Sequence, residues 1–212
     1  MRLNIGIVDD HQIVRAGFRE MLSGQPDMAI AFEAASGEDA LEQIRTQGCN
    51  VLLLDISLPG QSGVDVLRKV RQRYSETRVL ILSGYPEDRY ALSMMRNGAN
   101  GYLCKDCESV ELLSAIRQVA RGKSYLSSRT AELLAETVTG EAVSEPHQSL
   151  SEREFQVFLK LAQGSSVSDI ADDLNLSVKT ISTYRSRLLE KMGVASNAEL
   201  AGYAIRNGLI EA

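Results

Sequence analysis

The chain has 212 residues, 44% of them hydrophobic and 24% charged, with a formal net charge of −5. That size suits one or two domains, and the composition excludes wholesale disorder. The negative balance excludes nucleic-acid binding by bulk charge alone, and no apolar run approaches the ~18–20 residues of a membrane-spanning helix.

The opening Met1-Arg2-Leu3-Asn4-Ile5 turns acidic by Asp9, unlike a secretory leader, so a cytoplasmic protein is expected. Residues 3–8 read as a short buried strand that stops at Asp9-Asp10. Ile13, Val14, Phe18, Met21 and Leu22 then recur at helical spacing. Residues 28–34 predict a second strand, and Ser36 with Asp39 three positions on predicts a capped helix carrying Ala40, Leu41 and Ile44. Val51-Leu52-Leu53-Leu54 predicts a third strand, ending on Asp55, with a helix marked by Val64, Leu67 and Val70. Val79-Leu80-Ile81-Leu82 is the fourth strand, before a helix with Ala91, Met94 and Met95. Gly101-Tyr102-Leu103-Cys104 is the fifth, before a helix with Val110, Leu113, Ile116 and Ala120.

Strands alternate with helices, and the strands are continuous apolar runs, as they must be when both faces are covered. This predicts an α/β doubly wound domain of flavodoxin-like type with a five-stranded parallel sheet. In such sheets the ligand site lies beyond the carboxyl ends of the strands. Asp9, Asp10, Asp55, Ser83 and Lys105 all fall there.

Residues 122–148 read as a linker, partly helical over Arg129–Val138 with Leu133 and Leu134 on one side, and polar with Gly and Pro from Thr139 to Gln148. The remainder, 149–212, predicts an all-α, four-helix domain, with helices at 151–163, about 167–174, 177–192 and 196–207. The three cysteines are too few for a disulfide framework. Cys104-x-x-Cys107 has no second ligand pair near it in sequence, since the only histidines are His11 and His147, so the plainer reading is a strand end and a helix start.

Three converging carboxylates repel one another unless a cation lies between them, and hard Mg²⁺ is the usual solution. Asp9 and Asp10 are expected to hold it together with Asp55. A carboxylate can also attack a phosphoryl group to form an aspartyl phosphate, which makes Asp55 the expected nucleophile. Lys105 and the Ser83 hydroxyl are placed to stabilise phosphoryl oxygens. An Asp-nucleophile phosphotransferase would want a second acid two residues after the nucleophile, where Ser57 stands. No glycine-rich nucleotide-binding motif is present either, so an enzyme is not expected.

The segments 167–174 and 177–192 predict two helices joined by a tight turn at Asn175-Leu176, with Ser177 as N-cap. On the second helix Ile181, Leu188 and Met192 share an apolar face. Lys179, Thr183, Ser186, Arg187 and Glu190 lie opposite, with Ser182 at the edge, a mostly small and polar surface suited to close approach to base edges. Lys179, Arg185, Arg187 and Lys191 face a single acid, Glu190, between 179 and 191. Arg185 lies nearer the buried side, which favours a phosphate or structural role. A protein-interaction bundle is the alternative for this domain.

Residues 1–121 resemble a response-regulator receiver domain through Val8-Asp9-Asp10-His11, Leu54-Asp55-Ile56-Ser57-Leu58-Pro59-Gly60, Leu82-Ser83-Gly84 and Gly101-Tyr102-Leu103-Cys104-Lys105. The resemblance implies phosphorylation of Asp55 by a sensor histidine kinase with Mg²⁺, the Ser57 backbone carbonyl as a metal ligand, and Tyr102 as an aromatic switch. Asp106 stands where many receivers have proline after the lysine, so the cis peptide usual there is not carried over. Residues 149–210 resemble a LuxR-type helix-turn-helix of the NarL/FixJ family through Leu150-Ser151-Glu152-Arg153-Glu154, Asp169-Ile170-Ala171, Lys179-Thr180-Ile181 and Lys191-Met192-Gly193-Val194. Thr183-Tyr184-Arg185 resembles the GacA-like branch. This second resemblance implies binding of double-stranded DNA as a homodimer, with the helix near 196–207 as the dimer surface; the contacts are expected among Lys179, Thr180, Ser182, Thr183, Arg185, Ser186, Arg187 and Lys191.

Overall fold

The computed structural model describes residues 2–85, 87–139 and 146–210. The chain forms two compact units, 1–142 and 143–212.

In the first unit, strands β1 (Leu3–Val8), β2 (Met28–Ala34), β3 (Val51–Asp55), β4 (Arg78–Ser83) and β5 (Gly101–Cys104) alternate with helices α1 (Gln12–Ser23), α2 (Gly37–Thr46), α3 (Gly63–Arg73), α4 (Glu87–Arg96) and α5 (Ser109–Ala120). The sheet order is β2-β1-β3-β4-β5, with every pairing parallel. This is the expected doubly wound, flavodoxin-like arrangement.

Strand alternation divides the core into two layers. Ile5, Ile7, Val51, Leu53, Leu80, Leu82 and Leu103 pack with Phe18 and Leu22 of α1 and with Leu112, Ile116 and Val119 of α5. Their neighbours Leu52, Leu54, Val79 and Ile81 are equally buried and face the opposite layer. Both sides of β3 are therefore covered, which explains a strand with no polar residue before Asp55. Truncating such a residue to alanine costs about 2–5 kcal/mol.

The start of α3 presses against the end of β3. The Gly63 N–H donates to the Ile56 carbonyl at 3.0 Å, and a Cβ on Gly63 would lie 2.2 Å from the Asp55 carbonyl oxygen. Only glycine permits that approach, which holds the Asp55 end of β3 in place.

Residues 122–139, read as linker from the sequence, continue within the first unit. Tyr125 forms a bridge with Gly101 at the end of the sheet, and helix α6 (Ser128–Thr139) packs on α4. Residues 140–145 of the expected flexible joint, and the side chain of Leu133, lie outside the described residues.

The second unit has a short 3-10 turn (Pro146–Ser149) and helices α7 (Glu152–Ala162), α8 (Val167–Asp173), α9 (Val178–Met192) and α10 (Asn197–Arg206). A serine side chain caps each helix: Ser151, Ser166, Ser177 and Ser196 accept from the backbone N–H three residues on. Phe155, Phe158, Ile170, Ile181, Leu188 and Leu200 fill the core. The turn between α8 and α9 places Asn175 at φ 52°, a left-handed conformation that asparagine tolerates better than most residues. Gly193, at φ 65°, ends α9.

Candidate functional site

The strand ends bring the predicted acidic residues together. Asp9 directly follows β1, Asp55 ends β3, Ser83 ends β4 and Lys105 directly follows β5. Asp9, Asp55 and Ser83 are buried, while Asp10 is exposed at the rim. Lys105 Nζ lies 2.6 Å from Asp9 Oδ2 and 2.8 Å from Asp55 Oδ2. Those two buried oxygens have no other partner among the described residues. The Ser57 N–H donates to Asp55 Oδ1 at 3.1 Å, and the His11 N–H donates to Asp9 Oδ1 at 2.8 Å.

These contacts set the protonation balance. Burial, and secondarily the neighbouring Asp9, push the Asp55 carboxyl above the usual carboxylate range, against the pull of Lys105 and the Ser57 N–H. Burial opposes the charge on Lys105, but Asp55 and Asp9 outweigh it and raise the lysine above its ordinary value. Ligand atoms of Asp9, Asp10, His11 and Asp55 lie within 4.8 Å of one another. Clustered carboxylates with buried oxygens matched only by one ammonium form a donor set compatible with Mg²⁺. His11 was not among the expected site residues, yet its Nδ1 is 2.8 Å from Asp10 Oδ1. Its position directly after the acid pair was the available signal.

Ser83 and Tyr102 meet through the loop after β4. Ser83 Oγ accepts the Tyr85 N–H at 3.1 Å, and the Tyr102 hydroxyl donates to the Tyr85 carbonyl at 2.8 Å. Tyr102 is 1% exposed, so its ring occupies the inward position in this structure. Burial raises its hydroxyl pKa further. No cis peptide occurs among the described residues. Cys104 and Cys107 are free and partly buried, with thiols pushed up to about 11, chiefly by burial. Such thiols stay largely protonated near neutral pH, which disfavours redox exchange through a thiolate.

On α9, Ile181, Leu188 and Met192 are buried, whereas Lys179, Ser182, Thr183, Ser186 and Arg187 are exposed. The exposed face contains a concavity lined by Ser177, Lys179, Thr180, Thr183, Tyr184 and Arg187. Thr180 caps locally with Ser177 at 2.7 Å. Two of the expected DNA-contacting cations are engaged within the unit. Arg185 Nε donates to Asn197 Oδ1 at 2.8 Å, in keeping with a structural role. Lys191 Nζ pairs with Glu154 Oε2 at 2.7 Å. Helical spacing gave no sign of that pairing, because Glu154 lies on α7.

A buried acidic pocket at the strand ends, followed by a helix-turn-helix with an exposed polar face, defines a receiver-type signalling protein with a second, helical module. Residues 5–117 match the response regulator receiver domain family, and residues 148–204 match the family described as bacterial regulatory proteins, luxR family. Response regulator UvrY of Escherichia coli K12 is 37% identical over 99% of this chain and 97% of its own. Response regulator GacA of Pseudomonas aeruginosa is 36% identical over 99% of each. A structure of RcsB from Salmonella enterica serovar Typhimurium, bound to promoter rprA in the presence of the phosphomimetic BeF₃⁻, has the same fold: TM-score 0.67, 23% identity, 96% of this chain and 98% of that one. The chain belongs to the NarL/FixJ family of response regulators, with a receiver domain and a LuxR-type helix-turn-helix domain.

No helix of the described residues is long and apolar enough to cross a membrane.

Proposed function

We propose that this response regulator is phosphorylated on Asp55 by a sensor histidine kinase and then binds double-stranded DNA as a homodimer to regulate transcription in the cytoplasm. Its parts are a receiver at 1–121, a connecting segment at 122–148 and a DNA-binding domain at 149–212. The observation that carries the first step is the buried Asp55 carboxylate facing Lys105, with Asp9 across the same ammonium. Asp9, Asp10, Asp55 and the Ser57 carbonyl would hold Mg²⁺, which supplies positive charge to offset that of the transferring phosphoryl group. An Asp55 oxygen attacks phosphorus. The phosphorus–nitrogen bond to the donor imidazole breaks, leaving its electron pair on nitrogen. Lys105 and the Ser83 hydroxyl then stabilise the phosphoryl oxygens. Ser57 stands where a phosphotransferase of this chemistry would want a second acid, which supports a switch rather than an enzyme.

For DNA, Lys179, Thr183, Ser186 and Arg187 form the contact face, with Thr180 and Ser182 beside it. Arg185 and Lys191 contribute chiefly by holding α9 in place, since both are engaged by neighbouring side chains.

The test is incubation of the full chain with acetyl phosphate and Mg²⁺, followed by intact mass and peptide mapping. One phosphoryl group should appear on the peptide containing Asp55 and disappear in Asp55→Asn, whose amide is a poor nucleophile. Undiminished labelling of that variant overturns the assignment.

A further inference from the structure

Helix α6 is anchored by one carboxylate at its first turn. Ser127 Oγ and Thr130 Oγ1 both donate to Glu87 Oε2, the latter at 2.9 Å. Ser127 also caps the helix by accepting the Thr130 N–H at 3.0 Å. Thr130 is 1% exposed, so these are not bonds that water readily replaces.

The other end of this contact leads to the phosphoryl site. Glu87 is the first residue of α4 and follows Ser83 by four positions. Tyr85, between them, is held three ways: its N–H by Ser83 Oγ at 3.1 Å, and its carbonyl by the Tyr102 hydroxyl at 2.8 Å and the Cys104 thiol at 3.5 Å. Ser83, Tyr85 and Glu87 are each hydrogen-bonded and lie within five residues of one another, so the backbone offers a short route from Ser83 to Glu87. A shift along it changes an equilibrium only where a ligand contacts the two states differently. The Ser83 hydroxyl offers that contact: its Oγ accepts the Tyr85 N–H here, and its O–H can donate to a phosphoryl oxygen, drawing Oγ and the Tyr85 N–H with it.

We propose that Glu87 is a positioning residue coupling the phosphoryl site to α6. When Ser83 is drawn toward a phosphoryl group on Asp55, Glu87 moves off Ser127 and Thr130, and the first turn of α6 loosens. Helix α6 is the last described helix of the first unit. The proposal rests on Asp55 being the acceptor.

Hydrogen exchange of the full chain, with and without Mg²⁺ and BeF₃⁻, tests both. In the native protein, BeF₃⁻ should alter exchange at 83–87 and speed exchange across 127–139 about tenfold by local opening. In Glu87→Ala, 127–139 should exchange fast in both conditions. Glu87→Gln retains an acceptor oxygen and should restore the dependence on BeF₃⁻, which a variant that merely disturbed packing would not do. If 83–87 responds while 127–139 is unchanged or slower, or if Glu87→Ala keeps the full response, the coupling is overturned with the acceptor assignment intact. If neither segment responds, the acceptor assignment fails and the coupling with it.

Discussion

Lys191 Nζ, near the end of α9, lies 2.7 Å from Oε2 of Glu154, in the first turn of α7. The same oxygen accepts the Ser151 N–H at 2.8 Å and the Ser151 hydroxyl at 2.9 Å. One buried carboxylate therefore closes the α7 capping box and ties the C-terminal end of α9 to it. The proposed DNA-contacting helix is held by a buried residue of a neighbouring helix.

Glu154→Ala is therefore expected to destabilise the second unit by about 1–2 kcal/mol, as loss of a helix cap together with a charged partner. Lys191→Ala should cost less, since the lysine is half exposed and its pairing is screened by solvent. Urea unfolding followed by far-ultraviolet circular dichroism measures both. Equal stability of Glu154→Ala and the native chain would remove this account.

The same pair predicts a pH dependence. Burial alone would raise the Glu154 pKa, but hydrogen bonds from Lys191 and Ser151 outweigh it and hold the carboxyl below its ordinary 4.5. A depressed folded-state pKa gives stability that is fully present above the unfolded value and lost as pH falls through the folded one. The second unit should therefore lose stability as pH falls below the ordinary 4.5 and through the depressed folded-state value, and Glu154→Gln should flatten that fall. An unchanged slope in the variant would point to other carboxylates.

At the acidic site, Asp10→Asn removes a charge from the rim of the cation cluster while leaving the buried Asp9–Lys105–Asp55 contacts in place. Mg²⁺ affinity, read by calorimetry, should fall about tenfold or more. An Asp10→Asn protein binding Mg²⁺ as tightly as the native chain would place the ion elsewhere.

On the proposed DNA face, Lys179→Ala should weaken binding to all sequences and lower the salt slope by about one unit, as loss of one phosphate contact does. Thr183 and Ser186 substitutions should instead change which sequence is preferred. Lys191→Ala should leave the salt slope nearly unchanged, because its ammonium is already paired. Fluorescence anisotropy over a salt series distinguishes these, and a full-unit change in slope for Lys191→Ala would return that residue to the DNA surface.

Phosphorylation should tighten DNA binding by the intact protein, with two copies occupying half-sites about one helical turn apart. Affinities with and without acetyl phosphate at one salt concentration decide it. Equal values would rule out a switch acting through Asp55.

The architecture was legible from the sequence because its signals are local. Continuous apolar runs ending on Asp9, Asp55, Ser83 and Lys105 required a sheet covered on both faces, and polar residues at strand ends required a common edge. Apolar spacing, with the Ser177 cap of α9, likewise marked α7 to α10 within a residue or two of their observed bounds. What sequence could not supply were contacts between residues distant in the chain. The sequence placed Lys191 among the basic residues of α9 but could not reveal Glu154 on another helix. The composition of 122–139 read as linker, because nothing local predicts that Glu87 would hold Ser127 and Thr130. The inward seat of Tyr102 beneath the Tyr85 carbonyl was equally beyond reach. Periodicity and strand-end chemistry follow from backbone geometry, which the sequence encodes residue by residue. The choice of partner for each charge and hydroxyl depends on which surfaces packing brings together, and the tertiary structure alone decides that.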